Sequence, residues 1–431
     1  MTKRSIWFSI RDSLWFVPLL FFLASVAFAV ALIQVDVWVD ASQSLRWPAN
    51  LTAGPEGARQ ILSVIAGSVV TVAGVIFSIT IVTLSLAANQ YSPRVLRSFM
   101  RDKLSQIVLG VLVGTFVYSL LVLRTVRADT DFVPQLALWF GILMALVAIG
   151  SFIAFIHNTA VSIQAPEIIA RIAGETLQAL DAVRESSNEG GLAIDHEEEV
   201  QKHRWHAVPS RESGYVQDVD VEKLYETACE WQLALRVECP VGEFVVAGRP
   251  LVSVSGRALV DDDELTRHIQ RQFGINSYRT IGQDPGFGIR QIVDIALKAL
   301  SPSLNDTTTA IHCIDYLGVI LHAALQSSAR PHVHLEGNKL RLILPQAENE
   351  HLIDIAFNEI RQNAGANVAV VLRLLRLIRQ LLEDTDQADL RDIILKHINL
   401  IIDDAHRHIA SKPDRTTIAD AAQKALNTPP Q

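Results

Sequence analysis

The residues best placed to do chemistry lie in one stretch, Arg279-Thr280-Ile281-Gly282-Gln283-Asp284-Pro285-Gly286-Phe287-Gly288-Ile289-Arg290. Gly286 and Gly288 at a helix start would present backbone amides, and Arg279 and Arg290 would add positive charge. That combination suits an ion or a small anionic ligand. Asp284, Asp294, Asn305 and Asp306 could form a polar cluster across two consecutive helices. A plainer role fits the same residues. Asp284 can cap a helix that Pro285 opens, Asn305 or Asp306 can cap the next, and the arginines can bond the neighbouring caps. The stretch contains neither the G-x-G-x-x-G fingerprint nor the G-x-x-x-x-G-K-[ST] loop.

Other groups offer less. His332 and His334 would share one side of a strand, but no third ligand is evident, so a surface pair is expected rather than a metal site. His406 and His408 stand two apart on a helix and point differently. Cys229, Cys239 and Cys313 have neither zinc spacing nor the number for a disulfide framework. No H-E-x-x-H or G-x-S-x-G motif occurs, so no catalytic constellation, metal or cofactor is expected. Arg373, Arg376 and Arg379 make a slanted basic stripe, either a solvated face or a contact for anionic lipid or an acidic segment.

The elements that must position these residues divide the chain in two. Of 431 residues, 49% are hydrophobic and only 19% charged, and the mean hydropathy is +0.25. Such a composition has ample apolar material for a core and suggests bilayer segments. A net charge of -8 argues against a nucleic-acid partner. Four runs carry no charged residue: 14–35, 61–88, 104–123 and 136–156. Each is long enough to cross about 30 Å of hydrocarbon as a helix. Ala27-Phe28-Ala29 resembles a signal-peptidase site, but the apolar run continues beyond it, so an uncleaved helix is expected.

Loop charges set the orientation. The first tail and the loop after the second run hold Lys3, Arg4, Arg11, Arg94, Arg97, Arg101 and Lys103. The other two loops hold Arg46, Arg59, Arg124 and Arg127, together with Asp36, Asp40, Glu56, Asp129 and Asp131. The basic bias places both termini in the cytoplasm. Trp7, Trp15, Trp38, Trp47 and Trp139 fall near run ends, where an indole prefers the interface.

The second run is the most informative. Gly67, Thr71, Gly74, Ser78, Ser85 and Asn89 lie close to a 3.6-residue stripe interrupted at Val82, and Ser63, Ser68, Thr80 and Thr83 add polarity elsewhere. Small residues of this kind let helices pack closely. Alternatively, hydroxyls can line a pore and replace part of an ion's hydration. Gly110 with Gly114, and Ala137, Gly141 and Ala145, are further helix-packing repeats. No ionisable residue lies in the middle of a run, which argues against a proton-driven carrier.

The expected architecture is a membrane all-α domain of four transmembrane helices (1–158) plus a cytosolic α+β domain. A connecting helix, kinked at Pro166, and an acidic linker occupy 159–207. A small β-rich unit (208–257) has a pattern similar to barrel-sandwich modules of the biotinyl and lipoyl type, but without their lysine on a tight hairpin. A mainly helical part with a β-hairpin follows over 258–412, and 413–431 is expected to fray. Residues 1–158 hold 11 basic and 7 acidic side chains, whereas 159–431 hold 27 and 39, so the solvent changes with the fold.

Two segments carry a family resemblance. Residues 70–97, with Ser78-Ile79 and Asn89-Gln90-Tyr91-Ser92-Pro93-Arg94, and residues 287–306, beginning Phe287-Gly288-Ile289-Arg290-Gln291-Ile292-Val293-Asp294, resemble an uncharacterised family of bacterial predicted inner-membrane proteins, DUF2254. The likeness runs from the first apolar run to about Arg379. It implies the two-part architecture and brings no activity with it. The residues themselves suit a homo-oligomer in a lipid bilayer that forms a passive ion or small-solute channel, gated by its cytosolic domain. A non-conducting scaffold or sensor whose domain binds a partner or an anionic ligand fits them too.

Overall fold

The computed structural model describes residues 15–42, 52–90, 103–126, 132–188, 191–192, 203–256, 263–326, 333–337, 339–345, 349–385 and 387–429. It forms two compact units, Met1–Gln164 and Ala165–Gln431.

The N-terminal unit contains α1 (Phe16–Ser42), α2 (Pro55–Gln90), α3 (Lys103–Thr125) and α4 (Gln135–Ser162). Each helix follows one apolar run and continues past its C-terminal end, because helical hydrogen bonding does not stop where the apolar composition does. At 36 residues, α2 is about 54 Å long. The most buried of the four is α3, which packs against the other three. Its two glycines make that approach close. A Cβ on Gly110 would sit 2.7 Å from the Phe21 ring, and one on Gly114 would sit 2.5 Å from Ser25 Oγ. Two apolar clusters fill the rest, one around Leu62, Tyr118 and Leu138, the other around Ile76, Leu112 and Phe155.

Asp36 departs from its expected place in a loop. It lies inside α1, is 5% exposed, and accepts the backbone N–H groups of Leu136 (3.0 Å) and Ala137 (2.9 Å). A carboxylate at an N-terminus satisfies donors that the helix cannot. The preceding cap residue, Pro134, has no side chain able to do this. Gln135 and Ala53 exchange a pair of hydrogen bonds, and Tyr118 Oη donates to Ala137 O at 2.8 Å. Three consecutive residues therefore tie α4 to α1, α3 and the segment leading into α2.

The C-terminal unit opens with α5 (Ala165–Asn188). The expected kink at Pro166 is instead a break. The chain leaves α4 at Ser162, and Pro166 takes the first turn of a new helix, where its missing N–H costs nothing. The strands are β1 (Gly191–Leu192), β2 (His206–Pro209), β3 (Gly214–Val219), β4 (Ala234–Val237), β5 (Phe244–Val245), β6 (Pro250–Ser255), β7 (Phe273–Asn276), β8 (Val333–Glu336) and β9 (Lys339–Ile343). They form a six-stranded sheet, β1-β8-β9-β4-β6-β2, and a three-stranded sheet, β5-β3-β7. Both sheets recruit strands from beyond position 257. One core, including Val216, Leu224, Leu235, Val252, Ile269 and Leu342, joins them with α6 (Val221–Glu230) and α7 (Asp263–Gln270).

The helical part comprises α8 (Pro285–Ala299), α9 (Thr307–Leu325), α10 (Asn349–Ala364), α11 (Val368–Glu383), α12 (Ala388–His408) and α13 (Lys412–Leu426). The frayed end expected from Lys412 is instead α13. Its Ile418, Ala422 and Ala425 are buried, and it packs on α11 and α12. Burying side chains of this kind contributes about 1–3 kcal/mol each, enough to hold a terminal helix in place. Among the described residues, five helices, α1 to α4 and α9, are long and apolar enough to cross a membrane. In the C-terminal unit, α9 packs against α5, α8 and α11.

Candidate functional site

Two regions gather the residues singled out above. The first is the start of α8. Asp284 caps this helix, accepting the Phe287 N–H at 3.0 Å, and Pro285 occupies its first turn. Arg279 clamps the same carboxylate with two bonds, Nε to Oδ2 at 2.8 Å and Nη2 to Oδ1 at 3.0 Å. Its guanidinium also lies 5.1 Å from the centre of the Phe287 ring. The place of an anion at this helix start is therefore filled by the chain's own carboxylate.

The surrounding residues close the joint. Gly242, at φ +91°, brings the turn between β4 and β5 against this pair. A Cβ there would lie 2.5 Å from Asp284 Oδ2. Gln283 bonds both backbone groups of Val219, and Gln217 donates to Tyr278 O, which fastens the loop to β3. Arg290 pairs with Asp294 at 3.0 Å on its own helix and with both oxygens of Glu359 on α10. The hydrogen bond to Glu359 holds the Arg290 pKa above its ordinary value. Gly286 faces Leu352 and Ile355, and Gly288 faces Thr176. Asp306 caps α9 through the Thr309 N–H, and that bonding with the Thr309 hydroxyl lowers its pKa. Asn305 adopts φ +46° before this cap. The structure thus does not bring Asn305 and Asp306 together with Arg279 and Asp284 by any hydrogen bond described. The parts of Gly242 and Gln217 in this joint were not foreseen, since nothing local marks a turn or strand that will meet a side chain far along the chain.

The second region is the outward face of α2. Gly67, Thr71, Gly74, Ser78 and Ser85 are all exposed. A Cβ on Gly67 or Gly74 would meet nothing within 4 Å. Asn89 falls in the last turn of α2, and its side chain lies outside the described residues. The face that packs on the chain carries Ala58, Leu62, Ala66, Val69, Ile76 and Thr83. At 3.6 residues per turn the stripe lies about half a turn away from it. Gln60 and Ser63, both exposed, continue the stripe toward the start of the helix. Among the described residues of this unit it is therefore not a packing seam, whereas Gly110 and Gly114 sit at one. A Cβ on Gly141 would lie 3.4 Å from both Leu62 and Tyr118, Ala137 is fully buried, and Ala145 is half-buried.

The remaining candidates are dispersed. His334, expected at the surface, is buried beside Tyr225, with ring centres 6.1 Å apart, because β9 and β1 flank its strand. His332 lies outside the described residues. Arg373 pairs with Asp315, Arg379 with Glu383 at 3.1 Å, and Arg376 is exposed. His408 Nδ1 lies 2.9 Å from Asp404 O. Among the described residues, no three His, Cys, Asp or Glu side chains gather to hold a metal.

Comparison with known proteins points to a membrane protein. The family profile described as "Predicted membrane protein (DUF2254)" matches residues 11–380. Uncharacterised proteins of Mycobacterium bovis and of two strains of Mycobacterium tuberculosis are 31% identical to it over 381 residues, covering 86% of this chain and 72% of theirs. No solved structure matches.

Proposed function

We propose a function from the premise that this chain belongs to the DUF2254 family of predicted membrane proteins. It crosses the bacterial inner membrane four times through α1 to α4, with both termini cytoplasmic. In this reading α9 is a core helix of the cytosolic unit. Several copies assemble with their α2 helices at a central axis, forming a passive pathway for ions or small solutes that the C-terminal unit gates.

One observation carries this reading: the polar stripe of α2 faces away from the other described helices of its own unit. Lipid offers no hydrogen bonds, so polar side chains on a spanning helix turn toward protein or water. Thr71 meets part of that need locally, donating to Gly67 O at 3.0 Å. Ser63, Ser78, Ser85 and Gln60 are better served by a neighbouring copy or a water-filled axis. The length of α2 leaves it room to line such an axis and project beyond the hydrocarbon.

Purified full-length protein in planar bilayers tests the proposal. It should conduct, and Thr71→Val with Ser78→Val should change unitary conductance while the particle's mass in detergent stays the same. No conductance under any ionic condition, from a monomeric particle, removes the proposal. A silent oligomer removes the pathway and leaves a scaffold assembled through the same face.

A further inference from the structure

We propose that the contact between α10 and α12 is an acid-operated joint, closed while His397 is neutral and opened when its ring takes up one proton. The joint lies wholly within the C-terminal unit and consists of two polar rungs. His397 Nε2 lies 3.0 Å from Asp354 Oδ1. Two turns further along both helices, Arg361 bonds Asp404, which also holds Arg407. The partners in each rung are 43 residues apart in the chain, so the two helices run in the same direction along the joint. Phe357 and Ile401, both buried, fall between the rungs in sequence, and the Phe357 ring stands 5.3 Å from that of His397.

The hydrogens of the ring decide the state. An ionised Asp354 only accepts, so Nε2 of the neutral ring carries the hydrogen and Nδ1 keeps a bare lone pair. The His397 side chain is fully buried, and its Nδ1 has no hydrogen-bond partner among the described residues. A proton added there makes a donor with nothing to receive it. It also places a charge out of water among charges of both signs. From α10, Asp354 favours the proton and Arg361 opposes it, and Lys396 of α12 opposes it too. Glu359 is engaged by Arg290, while Glu350, His351, Asp389, Asp392 and Asp403 are exposed. Two other helices pack on α12. On α11, Arg373 pairs with Asp315, Arg379 pairs with Glu383, and Arg376 is exposed. On α13, Lys412, Asp420 and Lys424 are exposed, and Asp414 and Arg415 belong to the first turn, which begins beyond the end of α12. The balance lies against the charged ring while the joint is closed. Opening brings Nδ1 to water.

The joint has little to lose on opening. Arg361 Nε is a second buried atom without a partner among the described residues, and a half-satisfied polar contact holds less firmly than an apolar one. In turn α10 braces α8, with both Glu359 oxygens on Arg290. Opening therefore loosens the helix in which the second family-like segment, 287–306, begins.

The use of the joint rests on the gating proposed above, but its test does not need conduction. Hydrogen exchange is measured by mass spectrometry on the full chain in nanodiscs at about pH 7.5 and about pH 5.5, corrected for intrinsic rates. Protection of α10 and α12 should fall at least about threefold on acidification, and no more than about tenfold, the ceiling for an opened ring titrating at the ordinary 6.5. His397→Gln should abolish the fall. His322→Gln, at the histidine–aspartate contact between α9 and the end of α11, should leave it in place. Asp354→Asn removes the charge that favours the proton and should bring the fall closer to the ceiling; it decides the matter if His397→Gln folds poorly. Protection that ignores pH in wild type, a fall that survives in His397→Gln, or a lesser fall in Asp354→Asn overturns the joint. A silent chain with the expected fall loses the pathway and keeps the joint, whereas a conducting chain whose α10 and α12 ignore pH does the reverse.

Discussion

Replacing Asp284 by alanine removes two interactions made by one carboxylate. The first is the helix cap on the Phe287 N–H, whose loss costs about 1 kcal/mol. The second is the pair of bonds from Arg279. Bonds to charged groups contribute about 1.5–3 kcal/mol, but the Arg279 side chain is 29% exposed and regains water when released. A discounted loss of about 1–2 kcal/mol is reasonable. Together these make about 2–3 kcal/mol for Asp284→Ala. Asp284→Asn keeps an acceptor for the cap and loses the charge, so it should cost about 1–2 kcal/mol. In a unit of this size about 1 kcal/mol shifts the midpoint by about 2–4 °C. Thermal unfolding of the full chain in detergent should therefore show a drop of about 5–10 °C for alanine and about half that for asparagine. Inorganic phosphate should leave the wild-type midpoint unchanged, because the helix start already holds a carboxylate. Alanine within about 0.5 kcal/mol of wild type would refute the cap-and-clamp account. So would a saturable rise with phosphate that Arg279→Ala abolishes, and that result would restore the anion site.

Two further predictions concern buried polar groups. Asp36→Ala strands the N–H groups of Leu136 and Ala137 and should cost about 2 kcal/mol in a denaturant titration of the full chain, with Asp36→Asn recovering about half; unchanged stability would show that the tie is idle. His397 is fully buried between α10 and α12, with Nε2 3.0 Å from Asp354 Oδ1 and its ring against Phe357. Burial lowers its pKa below 6.5, and Arg361 and Lys396 push the same way, while the facing Asp354 opposes them. The folded state therefore disfavours the charged ring, so the contribution is complete above pH 6.5 and is lost as pH falls toward the lowered value. Stability measured from about pH 7.5 to about pH 5 should fall in wild type and fall less in His397→Gln, which lacks the titrating group; parallel curves would exclude His397 as the cause.

Much of this fold was legible from local pattern. The four helices of the N-terminal unit follow their apolar runs, and the helices begun by Asp284-Pro285 and Asp306 start where their capping residues require. Turn and strand signals marked most of the strands, including the hairpin of β8 and β9. Their assembly was not legible, because β4 pairs in parallel with β9 across about a hundred residues of chain, and no local signal specifies a partner so distant. Asp36 escaped for the same reason. A charged residue at the end of an apolar run reads as loop until its acceptors meet N–H groups a hundred residues later. The docking of α13 was missed because its buried positions are mostly alanine and one isoleucine, too weak an apolar face to stand out from a polar tail.

The glycines show why composition alone leaves function open. Gly110, Gly114 and Gly288 share with Gly67 and Gly74 a helical setting and small neighbours in sequence. The first three sit where a side chain would collide with Phe21, Ser25 or Thr176, so their smallness is used up by contacts inside the chain. Gly67 and Gly74 meet nothing, so theirs is unspent. An exposed interior glycine costs a helix about 1 kcal/mol relative to alanine. The face of α2 carries two on one line with five polar side chains, Gln60, Ser63, Thr71, Ser78 and Ser85. Helix stability alone would favour alanine at both glycines, and contact with lipid would favour apolar side chains at the other five. A surface that serves neither needs another neighbour, and for a helix of this length in a membrane the candidates are a second copy of the chain and water. The bilayer measurement and the particle mass separate those two.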